Sequence, residues 1–282
     1  MTTDTATSTG HAMADASWLD AHFESARAEY EASLRDVGIQ SGWAVLDAGC
    51  GNGGFVPLMC ELVGATGEVT ALDLAPENVA HVEHRVRDGQ CTAPVRTTVG
   101  SLLSLPFVNA TFDCVWSANV FQYFTEAQCA QAIEEFKRIV KPGGLVAIKD
   151  FDGTTMQCMP LDLGFYTRFM HAHMADSLKK GQLGVGCGLS LPGRLRRAGL
   201  VDIRRRGWHA ERWAPTSAAT RSFVTATETY FATVAADLDL TAEDKQLWRD
   251  VAANPATLFD APDFCLRESF VTAIGRVPVV PN

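Results

Sequence analysis

The sequence has no apolar run of the roughly 18–20 residues that a membrane-spanning helix requires, and its polar first residues do not resemble a signal peptide. It also lacks an excess of basic residues, because 24 Lys and Arg stand against 33 Asp and Glu, a net charge of −9. A general nucleic-acid binder would carry a basic face. We therefore expect a cytoplasmic protein that binds neither a membrane nor nucleic acid.

The eight cysteines are scattered, and no pair has the Cys-x-x-Cys or Cys/His spacing of a zinc site. His171 and His173 suggest a metal site only superficially, because side chains two positions apart on a helix point to different faces. We therefore predict no metal. The cysteines are expected to pack as small apolar side chains in a reducing compartment.

Length and composition indicate one large domain. The 282 residues are 47% hydrophobic, enough to bury a core without disulfide bonds. Residues 1–15 are predicted to be a disordered tail, which leaves 16–282 as a single domain. Two stretches near 152–188 and 214–258 interrupt the strand–helix order and are predicted to be helical cap insertions. The seven arginines between 194 and 212 could receive an anionic group of a substrate, but we predict instead that they form a solvated helix face and an exposed strand.

The remaining chain alternates between short apolar runs and amphipathic segments. The predicted strands are 43–48, 69–72, 95–99, 112–116, 145–149, 201–206 and 265–277. The predicted helices between them include 16–37, 55–63, 76–87, 126–140 and 189–198. Strands that are apolar on both faces and alternate with helices are typical of a parallel sheet covered on both sides. Because crossovers between such strands are right-handed, we predict an α/β, doubly wound, Rossmann-like fold.

A glycine-rich turn follows the first strand, in residues 45–54. Gly49, Gly51 and Gly54 satisfy the spacing of the dinucleotide-binding fingerprint, with Asp73 at the end of the next strand as its acid. A NAD-dependent oxidoreductase is therefore one interpretation. Asp47, two residues before the first glycine, disfavours it, because a carboxylate there opposes a pyrophosphate and suits a cation. Asp73 can accept hydrogen bonds from both hydroxyls of a ribose.

Segments 47–53 and 71–74 resemble the first two motifs of the class I S-adenosylmethionine-dependent methyltransferases. The likeness is to the small-molecule branch that includes the quinone-biosynthesis methyltransferases. Segments 99–107, 112–120 and 138–145 match further motifs of that family in the family's order. The resemblance covers roughly residues 40–150, and five ordered motifs are far more specific than a single glycine run.

The resemblance implies a seven-stranded mixed sheet whose last strand, near 265–277, is antiparallel. It also implies methyl transfer from S-adenosylmethionine to a small, largely apolar or aromatic acceptor, on O, C or N. Secondary metabolism is one setting for such a reaction. The cofactor-binding residues that it implies are Tyr30, Asp47, Gly49, Cys50, Gly51, Gly53, Asp73, Leu74, Ser101, Leu102, Asn119 and Gln122.

Ser101 departs from the family, which usually has an aspartate that accepts a hydrogen bond from the adenine amino group. A serine hydroxyl accepts more weakly and over a shorter reach. We therefore expect adenine recognition to depend more on apolar packing by Leu74 and Leu102.

His173 and Tyr123 are the catalytic candidates. The family layout directs Tyr123 towards the transferred methyl group. The alternative is that Tyr123 only precedes the start of a helix at Thr125. His173 shares one face of a predicted helix with Tyr166 and Met170, where it is either a packed core residue or a general base. His22 is predicted to lie on a polar helix surface away from the site.

Two other functions stay open. One is the NAD-dependent oxidoreductase, and the other is a non-methylating member of the same fold that uses S-adenosylmethionine structurally or for a cyclisation. The sequence carries no signal for the acceptor's identity, the methylated atom or the oligomeric state.

Overall fold

The computed structural model describes residues 15–279. The predicted disordered tail lies outside these residues except for Asp15, whose carboxylate caps the first helix by accepting a hydrogen bond from the Ser17 backbone N–H at 2.9 Å. The ten helices of the described part are α1 Ala16–Ser25, α2 Arg27–Arg35, α3 Val56–Val63, α4 Pro76–Arg87, α5 Glu126–Ile139, α6 Leu163–Lys179, α7 Leu191–Arg197, α8 Ala218–Asp237, α9 Ala242–Ala253 and α10 Ala256–Phe259.

Eight strands form one mixed sheet in the described chain. They are β1 Ala44–Ala48, β2 Glu68–Asp73, β3 Val95–Val99, β4 Phe112–Ala118, β5 Val140–Phe151, β6 Gln157–Met159, β7 Val201–Trp213 and β8 Cys265–Arg276. Strands β3, β2, β1, β4 and β5 are parallel neighbours in that order. Strand β8 runs antiparallel to β5 on one side and to β7 on the other. The α/β fold with an antiparallel last strand is therefore confirmed.

Two features of the sheet extend beyond the sequence prediction. The seven long strands are joined by a short eighth, β6, which pairs with β8 just beyond the end of β5. Strand β7 continues to Trp213 rather than ending at Arg206, because its whole length pairs with β8. Three residues are too few to show a strand pattern, and the charged residues of β7 conceal its continuation.

Apolar side chains cover both faces of the sheet. On one face α3 packs Met59 against Val45 and Val69, and on the other α5 packs Phe136 against Val115. Helix α5 begins with a capping box in which Thr125 and Gln128 satisfy each other's backbone N–H groups. The helices therefore hold the carboxyl ends of β1, β2, β4 and β5 together at one edge of the sheet.

A third core lies over that edge. It is formed mainly by α6, α8 and α9, and Trp248 is fully buried among aromatic rings at its centre. Helix α1 joins it, because the Trp18 indole N–H lies 3.3 Å from the Thr227 hydroxyl on α8. The two predicted cap stretches thus form one aromatic cluster. No helix among residues 15–279 is both long and apolar enough to cross a membrane.

Candidate active site

A cavity of about 400 Å³ lies between the carboxyl edge of the sheet and helices α1, α6 and α8. This volume is in the range of small-molecule sites, about 300–1,000 Å³. Its walls include the predicted site residues Tyr30, Asp47, Gly49, Cys50, Gly51, Asp73, Leu74, Ser101, Leu102, Asn119, Gln122, Tyr123 and His173. Gly53 lies behind this lining. A Cβ atom there would be 2.8 Å from Val82 Cγ2, so glycine lets the turn pack against α4.

The glycine-rich turn begins where β1 ends. Gly49 has a φ of +79°, and its N–H donates to the Leu72 carbonyl at 2.7 Å. A Cβ atom on Gly49 would lie 2.6 Å from Val120 Cγ2, so a side chain at this position is excluded by both the backbone conformation and the space. The backbone of the turn consequently forms part of the cavity wall itself.

Asp73 connects this turn to the start of α4. Its Oδ2 accepts from the Gly51 N–H at 2.8 Å, and its Oδ1 accepts from Ala75 N at 2.9 Å and from Asn78 Nδ2 at 3.2 Å. A carboxylate offers about four lone-pair positions, so these three bonds leave acceptor capacity for a ligand. Asp73 therefore orders the turn and can also bind hydroxyl groups.

Asp47 is buried at the end of β1, with 1% of its surface exposed. Its Oδ2 has no hydrogen-bond partner among the described residues. Burial, reinforced by the neighbouring charge of Asp73, raises the pKa of Asp47 to about 8. A buried carboxylate without a partner is costly, and a ligand cation beside it would relieve that cost.

The turn after β3 supplies the next part of the wall. The Ser101 hydroxyl accepts from the Leu103 N–H at 3.2 Å, and Ser101 also bridges to Ser104 across this turn. Leu102 is buried, whereas Leu74 is 45% exposed at the cavity rim. Leu74 and Leu102 therefore offer apolar surface to a planar ring. They lie beside the Ser101 hydroxyl, which already accepts one hydrogen bond from the backbone.

Asn119 follows β4 in the left-handed region, with a φ of +60°. Its Oδ1 accepts from Lys149 Nζ at 2.7 Å, and its N–H donates to the Lys149 carbonyl at 2.9 Å. Gln122 N–H donates to Asp150 Oδ2 at 3.2 Å. Burial lowers the pKa of Lys149 to about 8. Lys149 and Asp150 of β5 thus hold the loop after β4 at the cavity wall.

The catalytic candidates come from the loop after β4, which holds Tyr123, and from α6, which holds His173. Burial raises the pKa of Tyr123, so its phenol stays protonated at neutral pH. Burial lowers the pKa of His173 and is the largest effect on it. The charge of Asp176 raises this pKa and the charge of Lys180 lowers it, and the net lowering leaves the imidazole neutral at neutral pH. The Nδ1 atom of His173 is buried without a hydrogen-bond partner in the described chain. Both side chains line the cavity.

The sequence analysis missed a buried polar cluster. His22 is only 7% exposed and lines the cavity, so its predicted surface position is wrong. Its Nε2 lies 2.9 Å from Glu268 Oε1 and 2.7 Å from the Tyr30 hydroxyl. Arg212 Nη2 donates to Glu268 Oε2 at 2.9 Å, and Arg212 is 4% exposed, which corrects its assignment to a solvated surface.

One sequence signal could have revealed this cluster. Glu268 lies inside the mostly apolar strand β8, as Asp47 lies at the end of the apolar strand β1. A carboxylate in such a position is either paired or poised for a ligand. His22 also follows Trp18 by four positions, which places both side chains on one face of α1.

The comparison with protein families agrees with this geometry. Residues 45–144 match the sequence profile of the methyltransferase domain. The matched segment contains the glycine turn, Asp47, Asp73, Ser101 and Asn119. This match confirms the family resemblance drawn from the motifs.

Two curated relatives each match about half of the chain. Demethylmenaquinone methyltransferase of Staphylococcus aureus is 29% identical over 141 residues, which are 49% of this chain and 55% of the relative. The chloroplastic 2-phytyl-1,4-beta-naphthoquinone methyltransferase of Arabidopsis thaliana is 30% identical over 143 residues, 50% of this chain and 51% of the relative. The chain therefore spans about half the length of the curated relatives it matches.

Solved structures share the fold at low sequence identity. The YcgJ protein of Bacillus subtilis has a TM-score of 0.51 at 16% identity, covering 88% of this chain and 97% of its own. Phosphoethanolamine N-methyltransferase 2 of Haemonchus contortus, solved with S-adenosyl-L-methionine, has a TM-score of 0.51 at 17% identity and covers 88% of this chain and 52% of its own. These likenesses extend over the cap helices as well as the sheet.

Proposed function

Because residues 45–144 belong with the methyltransferase-domain family, we propose that the chain transfers a methyl group from S-adenosylmethionine to a small, largely apolar or aromatic acceptor. The observation that carries this proposal is the buried, unpartnered Asp47 carboxylate beside the glycine turn. S-adenosylmethionine bears an ammonium group and a sulfonium, and a dinucleotide pyrophosphate bears no such charge. The donor set of the cavity therefore fits the methyltransferase cofactor better than NAD.

The predicted cofactor residues divide by chemistry. Asp47 would face the ammonium group, and Asp73 would accept from the ribose hydroxyls. Leu74, Leu102 and Ser101 would contact the adenine. Gly49, Cys50, Gly51 and Gly53 would bring the backbone of the turn close to the ligand. Tyr30, Asn119 and Gln122 would make the remaining contacts.

When bound, the cofactor supplies an electrophilic methyl group on a positively charged sulfur. The protein has little covalent chemistry to add, so its residues position the acceptor, exclude water and remove a proton where the acceptor needs it. Trp18 on α1 and Phe223 and Phe231 on α8 also line the cavity. We propose that the cap stretches close this side of a single domain, 16–282.

The acceptor class is inferred from those walls. Trp18, Phe223, Tyr230, Phe231 and Met156 give the cap side a mainly aromatic and apolar surface. The curated relatives named above are quinone methyltransferases, which supports a planar acceptor of related size. The net charge of −9 supports a small-molecule acceptor over nucleic acid, and we propose a cytoplasmic location.

Replacing Asp73 tests the ribose contact. Asp73→Ala is expected to weaken S-adenosylhomocysteine binding by about 10–100-fold, because hydrogen bonds to a charged acceptor contribute roughly 1.5–3 kcal/mol. Calorimetry measures this change, and Asp88→Ala on the exposed end of α4 is the matched control. Since Asp73 also orders the turn, circular dichroism should verify the fold. An unchanged dissociation constant in a folded variant contradicts the assignment.

Ser101→Asp tests the position where the family usually has aspartate. The carboxylate can still accept from the Leu103 N–H and reaches farther into the cavity, so cofactor binding should tighten or stay unchanged. Calorimetric titration with S-adenosylhomocysteine provides the measurement, and Ser104→Asp provides the control. A tenfold weakening with an intact fold means that Ser101 does not face the adenine.

His173→Gln tests the base predicted from the sequence. If His173 removes the acceptor's proton, turnover should fall by about 10²-fold while cofactor affinity stays unchanged. Near-normal turnover means that His173 only packs in the cap. Steady-state methylation and S-adenosylhomocysteine titration of the same protein separate these outcomes.

A methyl-transfer assay tests the proposed function as a whole. The protein is incubated with methyl-labelled S-adenosylmethionine and a panel of small phenols, naphthols and aromatic amines. We expect label in an extracted acceptor product. Cofactor binding with no label transferred to any acceptor favours the non-methylating alternative, and reduction of NAD in place of methyl transfer favours the oxidoreductase.

A further inference from the structure

His22 occupies the cap side of the cavity, and its ring is fixed on several sides. It stacks on Phe223 with centroids 4.7 Å apart and planes 6° apart, and the Trp18 ring lies 4.6 Å away. Its Nε2 atom lies 2.9 and 3.2 Å from the two oxygens of Glu268. The imidazole is therefore held by a carboxylate on β8 and by aromatic surfaces on α1 and α8.

Four ionisable groups surround His22. Glu268 comes from β8, Arg212 from β7, Lys149 from β5 and Tyr30 from α2. Burial lowers the pKa of His22, and the charge of Glu268 opposes that effect. Burial also disfavours the charged form of Glu268, but His22 and Arg212 outweigh it and lower the pKa of Glu268 below its usual range. The 2.9 Å bond from Arg212 favours the ionised form of Glu268, and burial favours the neutral ring of His22.

The hydrogen bonds determine which nitrogen of His22 can act as a base. An ionised carboxylate only accepts hydrogen bonds, so Nε2 carries the proton, which the Glu268 carboxylate and the Tyr30 hydroxyl oxygen at 2.7 Å both accept. The lone pair of the neutral ring is then on Nδ1, for which the described residues provide no hydrogen-bond partner. A carboxylate behind an imidazole orients the ring and stabilises the imidazolium that forms when it accepts a proton.

We propose that His22, oriented by Glu268, is the base that removes the proton from a hydroxyl group on a planar aromatic acceptor. This inference rests on the proposed methyl transfer and names its acceptor class. The acceptor oxygen forms a bond to the methyl carbon as the carbon–sulfur bond of the cofactor breaks. The electron pair of the broken bond stays on sulfur. The hydroxyl proton moves to His22 Nδ1 and later to solvent. The products are a methyl ether and S-adenosylhomocysteine.

Two features favour His22 over His173. No carboxylate lies within hydrogen-bond distance of His173 in residues 15–279, so none fixes its ring through a direct bond, and Asp176 favours its charged form only through its nearby charge. The aromatic side chains around His22 also suit a flat, weakly acidic phenol, whose proton a histidine can accept near neutral pH.

The test compares His22→Gln with His84→Gln, in which the replaced histidine is on the exposed face of α4. The assay measures label transfer to 1,4-dihydroxynaphthalene, 2-naphthol and 4-nitrophenol, beside calorimetric titration with S-adenosylhomocysteine. We expect His22→Gln to lose about 10²-fold in kcat with the dissociation constant within twofold of the parent. Unchanged kcat overturns the proposal. Transfer by the parent to amines but to no phenol also overturns it.

Glu268 is tested as a positioning residue through the pH profile. Activity should rise as pH increases through the pKa of His22, since only the neutral ring accepts a proton. Glu268→Gln removes the charge that raises this pKa, so the acidic limb should move to lower pH and the plateau should fall. A plateau that falls with an unmoved limb indicates a merely structural role and contradicts the pairing.

A binding readout keeps the proposal testable without turnover. Bound to the protein saturated with S-adenosylhomocysteine, 4-nitrophenol should show more phenolate absorbance than in buffer of the same pH, and His22→Gln should abolish the difference. Imidazole in the buffer should restore turnover to His22→Ala. Equal phenolate absorbance with the parent and with His22→Gln contradicts the role of His22 but leaves the proposed methyl transfer intact. Failure of the parent to bind S-adenosylhomocysteine contradicts the proposed function as well.

Discussion

Asp47→Asn is expected to weaken S-adenosylhomocysteine binding by about 100-fold while stabilising the ligand-free protein at pH 8. The loss of affinity follows because an amide cannot form the charge-assisted bond that a carboxylate offers an ammonium group. The gain in stability follows because the buried Oδ2 has no partner among the described residues, so the charge is costly until a ligand binds.

The pH dependence of stability distinguishes this account from a simple packing effect. Burial raises the pKa of Asp47 to about 8, above the value of 3.8 for an unperturbed aspartate. The folded state therefore holds a proton that the unfolded state loses, and the free energy of unfolding falls as pH rises from about 4 to about 8. The effect is on the order of 5 kcal/mol at pH 8.

Urea unfolding of the ligand-free proteins between pH 5 and pH 8 measures this effect. Asn does not titrate, so the advantage of Asp47→Asn over the parent should grow as pH rises. Asp239→Asn, at an exposed position after α8, is the control and should show no such trend. Equal stability and equal cofactor affinity in Asp47→Asn and the parent would refute the assignment of Asp47 to the ligand cation.

Trp248→Ala is expected to reduce the free energy of unfolding by about 3–5 kcal/mol. The indole is fully buried, with its ring centroid 4.6 Å from that of Phe165, 4.5 Å from Phe169 and 5.7 Å from Phe231. Truncation would leave a cavity at the centre of the aromatic cluster that joins α6, α8 and α9. Trp213→Ala is the matched control, because Trp213 is 57% exposed and should cost less than about 0.5 kcal/mol.

The same variant should separate the two halves of the site. Phe231 contacts Trp248 and also lines the cavity, whereas the glycine turn follows β1 and packs against α1 and α4. We therefore expect acceptor turnover to fall more than S-adenosylhomocysteine affinity. Urea unfolding, steady-state kinetics and calorimetry provide these values. A loss of cofactor affinity as large as the loss of turnover would show that the cap helices do not form a separate acceptor wall.

The part of the cavity around the glycine turn was predictable because its signals are local. Glycines at positions of positive φ, a carboxylate at the end of an apolar strand and Asp73 at the end of the next strand all lie within about thirty residues. Parallel strands bring their carboxyl ends to one edge, so a local pattern there determines a shared site. Tertiary packing adds only the partners, such as the Asp73 bond to the Gly51 N–H.

The cap side was less predictable because its contacts join distant segments. His22 and Glu268 are 246 positions apart, and no local pattern links them. General rules place histidine, arginine and glutamate at the surface, and this cluster violates them because its members satisfy one another's charges. Such exceptions concentrate at functional sites, which is consistent with the role that we propose for His22 and Glu268.

Calorimetric titration of the unmodified protein with S-adenosylhomocysteine, and separately with NAD, tests the central claim most directly. The account predicts one micromolar-range site for S-adenosylhomocysteine without added metal and no binding of NAD. Absence of S-adenosylhomocysteine binding, or binding of NAD alone, would contradict it.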